Sequence, residues 1–267
     1  MVRSLWTAAT GMNGQQANID AISNNLSNVN TTGFKQQRVE FEDLLYQNVK
    51  LAGTPATEDT VTPVGIQQGS GVKVAATQRI FSQGSLQNTG VDTDIAVVGD
   101  GFFRVQQYDG SFAYTRDGSF KVDMNGQLVN SNGLRVMPEV VLPDGYDIHS
   151  LTVTDDGRVS VKIFGQNDPI DVAQLEIYRF PNNAGLEAAG DNLYKVTNAS
   201  GEAVAGRPGY DGFGVTKHKF VEMSNVSVVN EMVQMIEVNR AYEANQKTIQ
   251  SEDSMMSTLW QKVAQLG

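Results

Sequence analysis

The chain has no cysteine among its 267 residues, and other ingredients of familiar catalytic sites are scarce. Without cysteine there are no disulfides, thiolate nucleophiles or cysteine-bound metals, which is compatible with a place outside the cytoplasm. The only histidines are His149 and His218, and neither lies in an HExxH motif or beside a nucleophile elbow. We therefore expect both histidines in surface or loop positions and no histidine zinc site.

Long apolar runs and excess positive charge are also missing. No stretch of 18 apolar residues occurs, and the N-terminus lacks the apolar core of a signal peptide. We expect no membrane insertion and, if the chain leaves the cytosol, export without a cleaved signal peptide. A net charge of −10 argues against electrostatic binding to nucleic acid or to an anionic membrane.

Two apolar ladders with a seven-residue period, one at each end of the chain, are its most informative feature. Such a ladder places its members along one face of a helix, a seam that needs a partner. The seams can pair with each other or with neighbouring copies, and we predict that they form subunit interfaces. The predicted interface residues are Leu5, Met12, Ile19, Ile22, Leu26, Val228, Met235, Tyr242, Ile249, Met256, Leu259 and Val263.

The first 34 residues contain only two charged side chains, Arg3 and Asp20. Solvated helices usually carry interspersed charges, so this segment is either packed on several faces by other subunits or docked on its own domain. Gly11 and Gly14 each weaken an isolated helix by about 1 kcal/mol relative to alanine. We expect the helix to depend on a partner for its order.

The middle of the chain changes from a connector to a β pattern. In residues 35–75, glycines and prolines such as Gly53, Pro55 and Pro63 are expected to break regular structure and leave an extended or looped segment. From about residue 76 to 220, turn dipeptides recur between short apolar segments and predict a meander of antiparallel hairpins. They include Asp109-Gly110, Asp117-Gly118, Asn125-Gly126, Asn132-Gly133 and Asp156-Gly157.

No residue pattern identifies a catalytic, cofactor or metal site. Gly99-Asp100-Gly101 lacks the third glycine of a dinucleotide fingerprint and is better explained by a tight turn. Asp92 and Asp94 alternate as calcium ligands do, but the rest of a calcium loop is missing, which favours a plain polar turn. Aromatic residues among the short strands are expected in the core because no basic residues flank them. They are Phe102, Phe103, Phe112, Tyr114 and Phe120.

These patterns predict an α+β fold in which two long terminal helices, paired as a coiled coil, flank a mainly antiparallel β domain with an extended linker. The predicted parts are an N-terminal helix over 1–34, a linker over 35–75, a β domain over 76–220 and a C-terminal helix over 221–267. The C-terminal helix is expected to start near Ser224 and to run for about 40 residues, about 60 Å.

Three segments resemble the bacterial flagellar rod and hook protein family. They are ISNNLSNVNTTGFKQQRVEFEDLL at 22–45, FSQGSLQNTGVDTDIAVVGDGFFRV at 81–105 and SNVSVVNEMVQMIEVNRAYEANQKTI at 224–249, and they occur in the family's order. Residues 46–67 look like the insertion of the distal rod subunits, which is thought to stiffen the rod.

The resemblance implies a non-enzymatic subunit without cofactors that polymerises into a helical tube, the distal rod. The terminal helices would line a central export channel, with the β domain outside. The implied partners are further copies, other rod subunits, the hook protein, the L and P ring proteins where present, and the flagellar export apparatus. The implied location is the basal body, outside the cytoplasm.

Three alternatives remain open on the sequence. One is a proximal rod subunit, which shares the same motifs. Another is a secreted β-domain binding protein that its helices trimerise. A third is a carbohydrate-active enzyme that uses loop carboxylates, although the sequence singles out no pair of them.

Overall fold

The computed structural model describes residues 2–51, 55–57, 60–61, 64–143, 145–146, 150–163 and 168–266. Helix α1 spans Val2–Ser27 and helix α2 spans Val228–Leu266. Between them lie short strands and mainly antiparallel pairings, which confirms the predicted α+β class. α1 ends earlier than the predicted boundary at 34, because residues 28–33 form turns that finish at Gly33 with a φ of +68°.

The chain divides into two compact units. The helical unit contains residues 1–26, 37–78 and 227–267, and the β unit contains residues 27–36 and 79–226. The turn after α1 thus belongs to the β unit, and most of the predicted linker belongs to the helical unit. The predicted division into an N-terminal helix, a linker, a β domain and a C-terminal helix, each with its own role, stays a prediction.

The strands of the helical unit form a ribbon from three successive antiparallel pairs, β1 with β6, β2 with β5 and β3 with β4. The expectation that glycine and proline would break regular structure here was wrong for these strands, because a two-stranded ribbon tolerates prolines and kinks at its edges. The bounds are β1 Gln37–Asp43, β2 Gln47–Lys50, β3 Pro55–Thr57, β4 Thr60–Val61, β5 Ile66–Gln68 and β6 Val72–Arg79.

The β unit contains the remaining strands. They are β7 Leu86–Asn88, β8 Ile95–Val98, β9 Phe103–Gln106, β10 Phe112–Thr115, β11 Lys121–Val122, β12 Leu128–Val129, β13 Arg135–Met137, β14 Thr152–Val153, β15 Arg158–Val161, β16 Ile170–Gln174, β17 Ile177–Arg179, β18 Glu187–Gly190, β19 Leu193–Lys195, β20 Val204–Gly206, β21 Val215–His218 and β22 Phe220–Glu222. A seven-stranded sheet has the order β11-β12-β13-β9-β10-β19-β18. Smaller pairings are β14-β15-β16, β17-β20, β21-β8 and β22-β7.

The predicted hairpin meander is confirmed in part. The turns at Gly110, Gly126, Gly133 and Gly157 all have positive φ and join paired strands. Asp117-Gly118 joins β10 to β11, which are not neighbours, because β13 returns to pair with β9. A Cβ on Gly118 would lie 1.7 Å from the carbonyl oxygen of Ile95, so close backbone approach requires glycine there.

The aromatic residues divide between core and surface. Phe102, Phe103, Tyr114 and Phe120 are buried, as the sequence predicts. Phe112 is 43% exposed, so its core prediction was wrong, and the guanidinium of Arg104 lies 4.6 Å from its ring centroid. Strand alternation explains the difference, because Phe112 points to the opposite face of β10 from buried Ala113.

Candidate functional site: the helix pair and the strand ribbon

The two terminal seams meet within one copy of the chain, where α1 and α2 pack antiparallel. Asn25 Nδ2 donates to Glu231 Oε2 at 3.2 Å near one end of the pair. The hydroxyl of Ser4 donates to Glu252 Oε1 at the other end. Equal numbers of residues separate these contacts on the two helices, so the register is constant along the pair.

A glycine lies between these two contacts, seven residues after Ser4. A Cβ on Gly11 would lie 2.9 Å from Asn245 Nδ2, so any larger residue here would require the Asn245 side chain to shift. Gly11 therefore lets the helices approach where asparagine occupies the seam. This role accounts for a glycine that costs helix stability in isolation.

Most of the predicted interface residues of α2 lie on the face turned toward α1. Met235, Tyr242, Ile249 and Met256 are half-buried. They are three or four residues from the contact positions Glu231, Asn245 and Glu252, which places them on the same helix face. Val228 and Leu259 are 39% and 45% exposed. The side chain of Val263 lies outside the described residues.

The predicted residues of α1 flank this contact. Ile22 is 3% exposed, and Leu5, Met12, Ile19 and Leu26 are half-buried. The part they play between subunits stays a prediction.

Sequence reasoning missed the polar members of the seam. Glu231 is 1% exposed and Asn25 is 1% exposed, yet neither belongs to an apolar ladder. A signal was present, because Glu231, Val238, Asn245, Glu252 and Leu259 repeat every seven residues beside the apolar row. Polar residues at such positions fix the register of a helix pair, which apolar residues alone leave degenerate.

A second face of α1 packs against the ribbon. A Cβ on Gly14 would lie 3.1 Å from the ring of Phe41 in β1, which again leaves room only for a glycine or a shifted ring. Gly71, with a φ of +112°, lies against Thr10. The Arg3 guanidinium donates to the side chains of Gln47 and Gln68, at 2.5 and 2.9 Å. These contacts explain the nearly uncharged shell of α1 by packing on two faces.

The ribbon beyond these contacts exposes many large apolar side chains. A two-stranded ribbon is at best marginally stable in water, and large exposed apolar surfaces on soluble proteins commonly mark interaction sites. The exposed residues are Leu45, Tyr46, Val49, Leu51, Val64 and Ile66, from 54% to 91% exposed. This surface is suited to being covered by other chains.

The β unit holds residues 27–36 through a buried network of charges. Lys35 Nζ donates to Glu222 Oε1 at 2.6 Å and to the Ser82 carbonyl at 2.8 Å. Arg116 donates to Glu222 Oε2 at 3.3 Å. Burial lowers the pKa of both Lys35 and Arg116, and the Glu222 carboxylate opposes that shift in each case. The carboxylate thus favours the charged form of both cations against the cost of their burial.

The positions weighed for catalysis or metal binding form polar turns. His218 is the last residue of β21 and is half-buried, with Nε2 2.7 Å from the Asp92 carbonyl oxygen. The prediction of a surface or loop position was therefore wrong for His218. His149 lies outside the described residues. Asp94 accepts a hydrogen bond from Thr89, and Asp92 pairs with Lys219 at 2.7 Å. Gly99 and Gly101 both adopt positive φ in a turn after β8, as predicted. In the described residues, no group of three acidic, histidine or cysteine side chains is close enough to share a metal ion.

Three family profiles match successive parts of the chain. The profile for the flagella basal body rod protein matches residues 5–35. The profile for the D1 domain of the flagellar hook protein FlgE/F/G matches residues 96–161, and that for the C-terminal part of the flagellar basal body rod FlgEFG protein matches residues 217–261. Within the described residues, neither helix is apolar enough over a sufficient length to cross a membrane.

Several characterised relatives are similar over nearly the whole chain. The flagellar basal-body rod protein FlgG of Borreliella burgdorferi is 56% identical, over 96% of this chain and 97% of its own. FlgG of Buchnera aphidicola subsp. Schizaphis graminum is 47% identical, over 98% of this chain and all of its own. The hook protein FlgE of Helicobacter mustelae is 38% identical over 79% of this chain but only 47% of its own length.

Proposed function

The chain belongs to the family of flagellar basal-body rod and hook proteins, and we propose that its helix pair and ribbon build the tubular distal rod. It is a structural subunit of the basal body, which assembles with other rod and hook components. The similarity to FlgG over full length, against partial coverage of a hook protein, supports a rod rather than a hook subunit.

The observation that supports polymerisation best is the incomplete burial of the helical unit. The ribbon and α2 together expose more than ten large apolar side chains, including Leu45, Val64, Val229 and Trp260. Each such side chain stabilises an interface by about 1.5–3 kcal/mol when it becomes fully buried. Covering these side chains with neighbouring copies supplies a driving force for assembly.

The finer role follows from the same proposal. The helices would line a central export channel, the β unit would face outward, and the tube would transmit motor torque to the hook. Its neighbours would be further copies, other rod subunits, the hook protein and, where present, the L and P ring proteins. The chain would reach this place outside the cytoplasm through the flagellar export apparatus, without a cleaved signal peptide, and would catalyse no reaction.

Electron microscopy of the concentrated full-length chain tests the proposal. We expect straight rods, whereas discrete trimers would indicate a secreted binding protein and unassembled particles would leave no support for a rod. Ile249→Asp should abolish rods while the β unit stays folded, because a charged carboxylate replaces an apolar, half-buried side chain of the seam and loses part of its hydration there. Gln250→Asp, one position away and exposed, is the matched control and should still form rods.

A further inference from the structure

A polar cleft of about 350 Å³ lies within the β unit, between the hairpin that joins β9 to β10 and the hairpin that joins β12 to β13. The first hairpin contributes Gln106, Gln107 and Tyr108 to the lining, and the second contributes Arg135. Asp123, which follows β11, completes the polar part of the lining. The volume falls within the range of small-molecule sites in proteins, about 300–1,000 Å³.

Tyr108 presents its ring to solvent in a fixed position. Its hydroxyl donates to the Asn132 carbonyl at 2.6 Å and lies beside Gly133, where a Cβ would come within 3.2 Å of it. The hydroxyl therefore ties one hairpin to the other, yet the residue is 85% exposed. An aromatic side chain that is held in place without being buried leaves its apolar faces available to a ligand.

Most hydrogen-bonding groups of the lining are unused within the described part of the chain. The side-chain amide of Gln106 makes no hydrogen bond there, and that of Gln107 accepts one from the Ser111 hydroxyl at 2.9 Å. The Arg135 guanidinium lies 3.6 Å from the Glu139 carboxylate, longer than a hydrogen bond. These groups can therefore donate to a ligand without giving up an internal partner.

The charges in and around the cleft are balanced. Asp123 and Arg135 are the charged residues that line it, and they are opposite in sign. The charged residues nearest to the lining through sequence, strand pairing or electrostatic interaction include three of each sign. They are Arg104, Asp109, Lys121, Glu139, Glu187 and Lys195. A ligand that fits this cleft is therefore neutral.

A carbohydrate matches this combination of groups. A sugar ring has an apolar face that packs on an aromatic ring, and its hydroxyls both donate and accept hydrogen bonds. A nucleic acid or another polyanion would need an excess of positive charge, which the cleft lacks. A peptide that adds a strand would need an open sheet edge, whereas β9, β10, β12 and β13 are each paired on both sides.

We propose that this cleft binds a neutral carbohydrate. A sugar ring packs on Tyr108, and its hydroxyls accept hydrogen bonds from Gln106, Gln107 and Arg135. The Asp123 carboxylate accepts a hydrogen bond from a further hydroxyl. The lining holds a single carboxylate, which supports binding and not glycoside hydrolysis, a reaction that uses a pair.

The proposed ligand goes beyond the rod function and does not rest on it, because every lining residue belongs to the β unit. The cleft is open and offers few contacts. We therefore expect weak binding, with a dissociation constant of about 1 mM.

Saturation-transfer-difference NMR on the dilute full-length chain tests the site. The probes are two neutral tetrasaccharides, maltotetraose and chitotetraose, and the acidic tetragalacturonate of the same length. The variants are Tyr108→Ser and Gln106→Ala. Tyr210→Ser is the matched control, because Tyr210 is 61% exposed and does not line the cleft. Near-ultraviolet circular dichroism checks the fold of each variant.

We expect at least one neutral tetrasaccharide to bind. Tyr108→Ser and Gln106→Ala should each weaken that binding by about two- to tenfold, whereas Tyr210→Ser should leave it unchanged. Should Tyr108→Ser disturb the fold, Gln106→Ala decides alone, because its side chain has no internal hydrogen bond to lose.

Three results would overturn the proposal. The first is that neither neutral tetrasaccharide binds, or that the cleft variants bind it as well as the original chain does. The second is that tetragalacturonate binds more tightly than the neutral probes, which would indicate an anion site. The third is that an uncharged Ser/Gln peptide displaces the bound tetrasaccharide, which would indicate a peptide site.

Discussion

Glu222 is the residue on which two buried cations depend. Its carboxylate accepts hydrogen bonds from Lys35 and Arg116, and from the Gly84 amide at 2.8 Å, and its own carbonyl accepts from Gly33. Lys35 and Arg116 come from distant parts of the chain, so the network ties the turn after α1 to the β unit. Breaking a buried pair is costly because the remaining charge is left uncompensated.

We expect Glu222→Gln to destabilise the β unit by about 3–5 kcal/mol, since it removes the carboxylate that pairs with both buried cations. The measurement is urea unfolding followed by near-ultraviolet circular dichroism. Glu139→Gln is the control, because the Arg135–Glu139 pair is half-exposed on both sides. It should cost no more than about 1 kcal/mol, and equal losses from both variants would show that the buried network has no special weight.

At the scale of elements, Asn25 joins three of them in the helical unit. Its side chain donates to the Gln37 carbonyl at 2.8 Å, accepts from the Gln37 amide at 2.9 Å, and donates to Glu231. The end of α1, the start of β1 and the start of α2 are therefore held in one register. If α1 shifted by seven residues along α2, either Asn18 would face Glu231 or Asn25 would face Val238. In neither case could one asparagine make all three hydrogen bonds.

Asn25→Ala should destabilise the helical unit by about 2–4 kcal/mol, through three lost hydrogen bonds of about 1 kcal/mol each. Hydrogen exchange of the α1 amides should accelerate along the whole helix. Asn13→Ala, on the exposed side of the same helix, is the control and should leave exchange unchanged. Equal exchange in the two variants would argue against a register role for Asn25.

The ribbon gives a second prediction at this scale. Replacing residues 51–64 by a short turn, so that β2 and β5 remain, should leave rods able to form but more curved, because the exposed apolar residues of the ribbon would brace neighbouring copies. Curvature is measured on electron micrographs. In a control variant, residues 51–64 are replaced by a Gly/Ser segment of the same length, which keeps the length of the ribbon and removes its apolar contacts. Rods of the shortened variant as straight as those of the original chain would make the ribbon a passive linker.

At the scale of the whole molecule, the two units should differ in their resistance to proteases before assembly. The helical unit leaves much of its apolar surface uncovered, whereas the β unit buries two hydrophobic clusters. Helices with exposed seams open easily, and local opening governs cleavage.

Trypsin should therefore cut the dilute subunit first at Arg38, Lys50, Lys247 and Lys262, which are exposed, and last at Lys35 and Arg116, which are buried. Mass spectrometry of timed samples gives the order. Assembled rods should resist cleavage at the α2 sites. Early cleavage after Lys35 would contradict the assignment of residues 27–36 to the β unit.

The sequence by itself determined the features that depend on neighbours along the chain. Seven-residue spacing predicted both long helices, and turn dipeptides such as Asn125-Gly126 and Asn132-Gly133 predicted the hairpins, because backbone geometry at these sites is local. The three family segments predicted the structural role, which the matching profiles and relatives support.

Only the tertiary structure decided which distant residues meet. Glu222 finds Lys35 across 187 residues of chain, and Glu231 finds Asn25 across 206. An apolar ladder looks the same after a shift of seven residues, so it could not give the antiparallel register, which polar contacts and the close approach at Gly11 fix instead. The membership of residues 27–36 in the β unit was likewise hidden, because the burial of a lysine depends on the carboxylate that the fold places beside it.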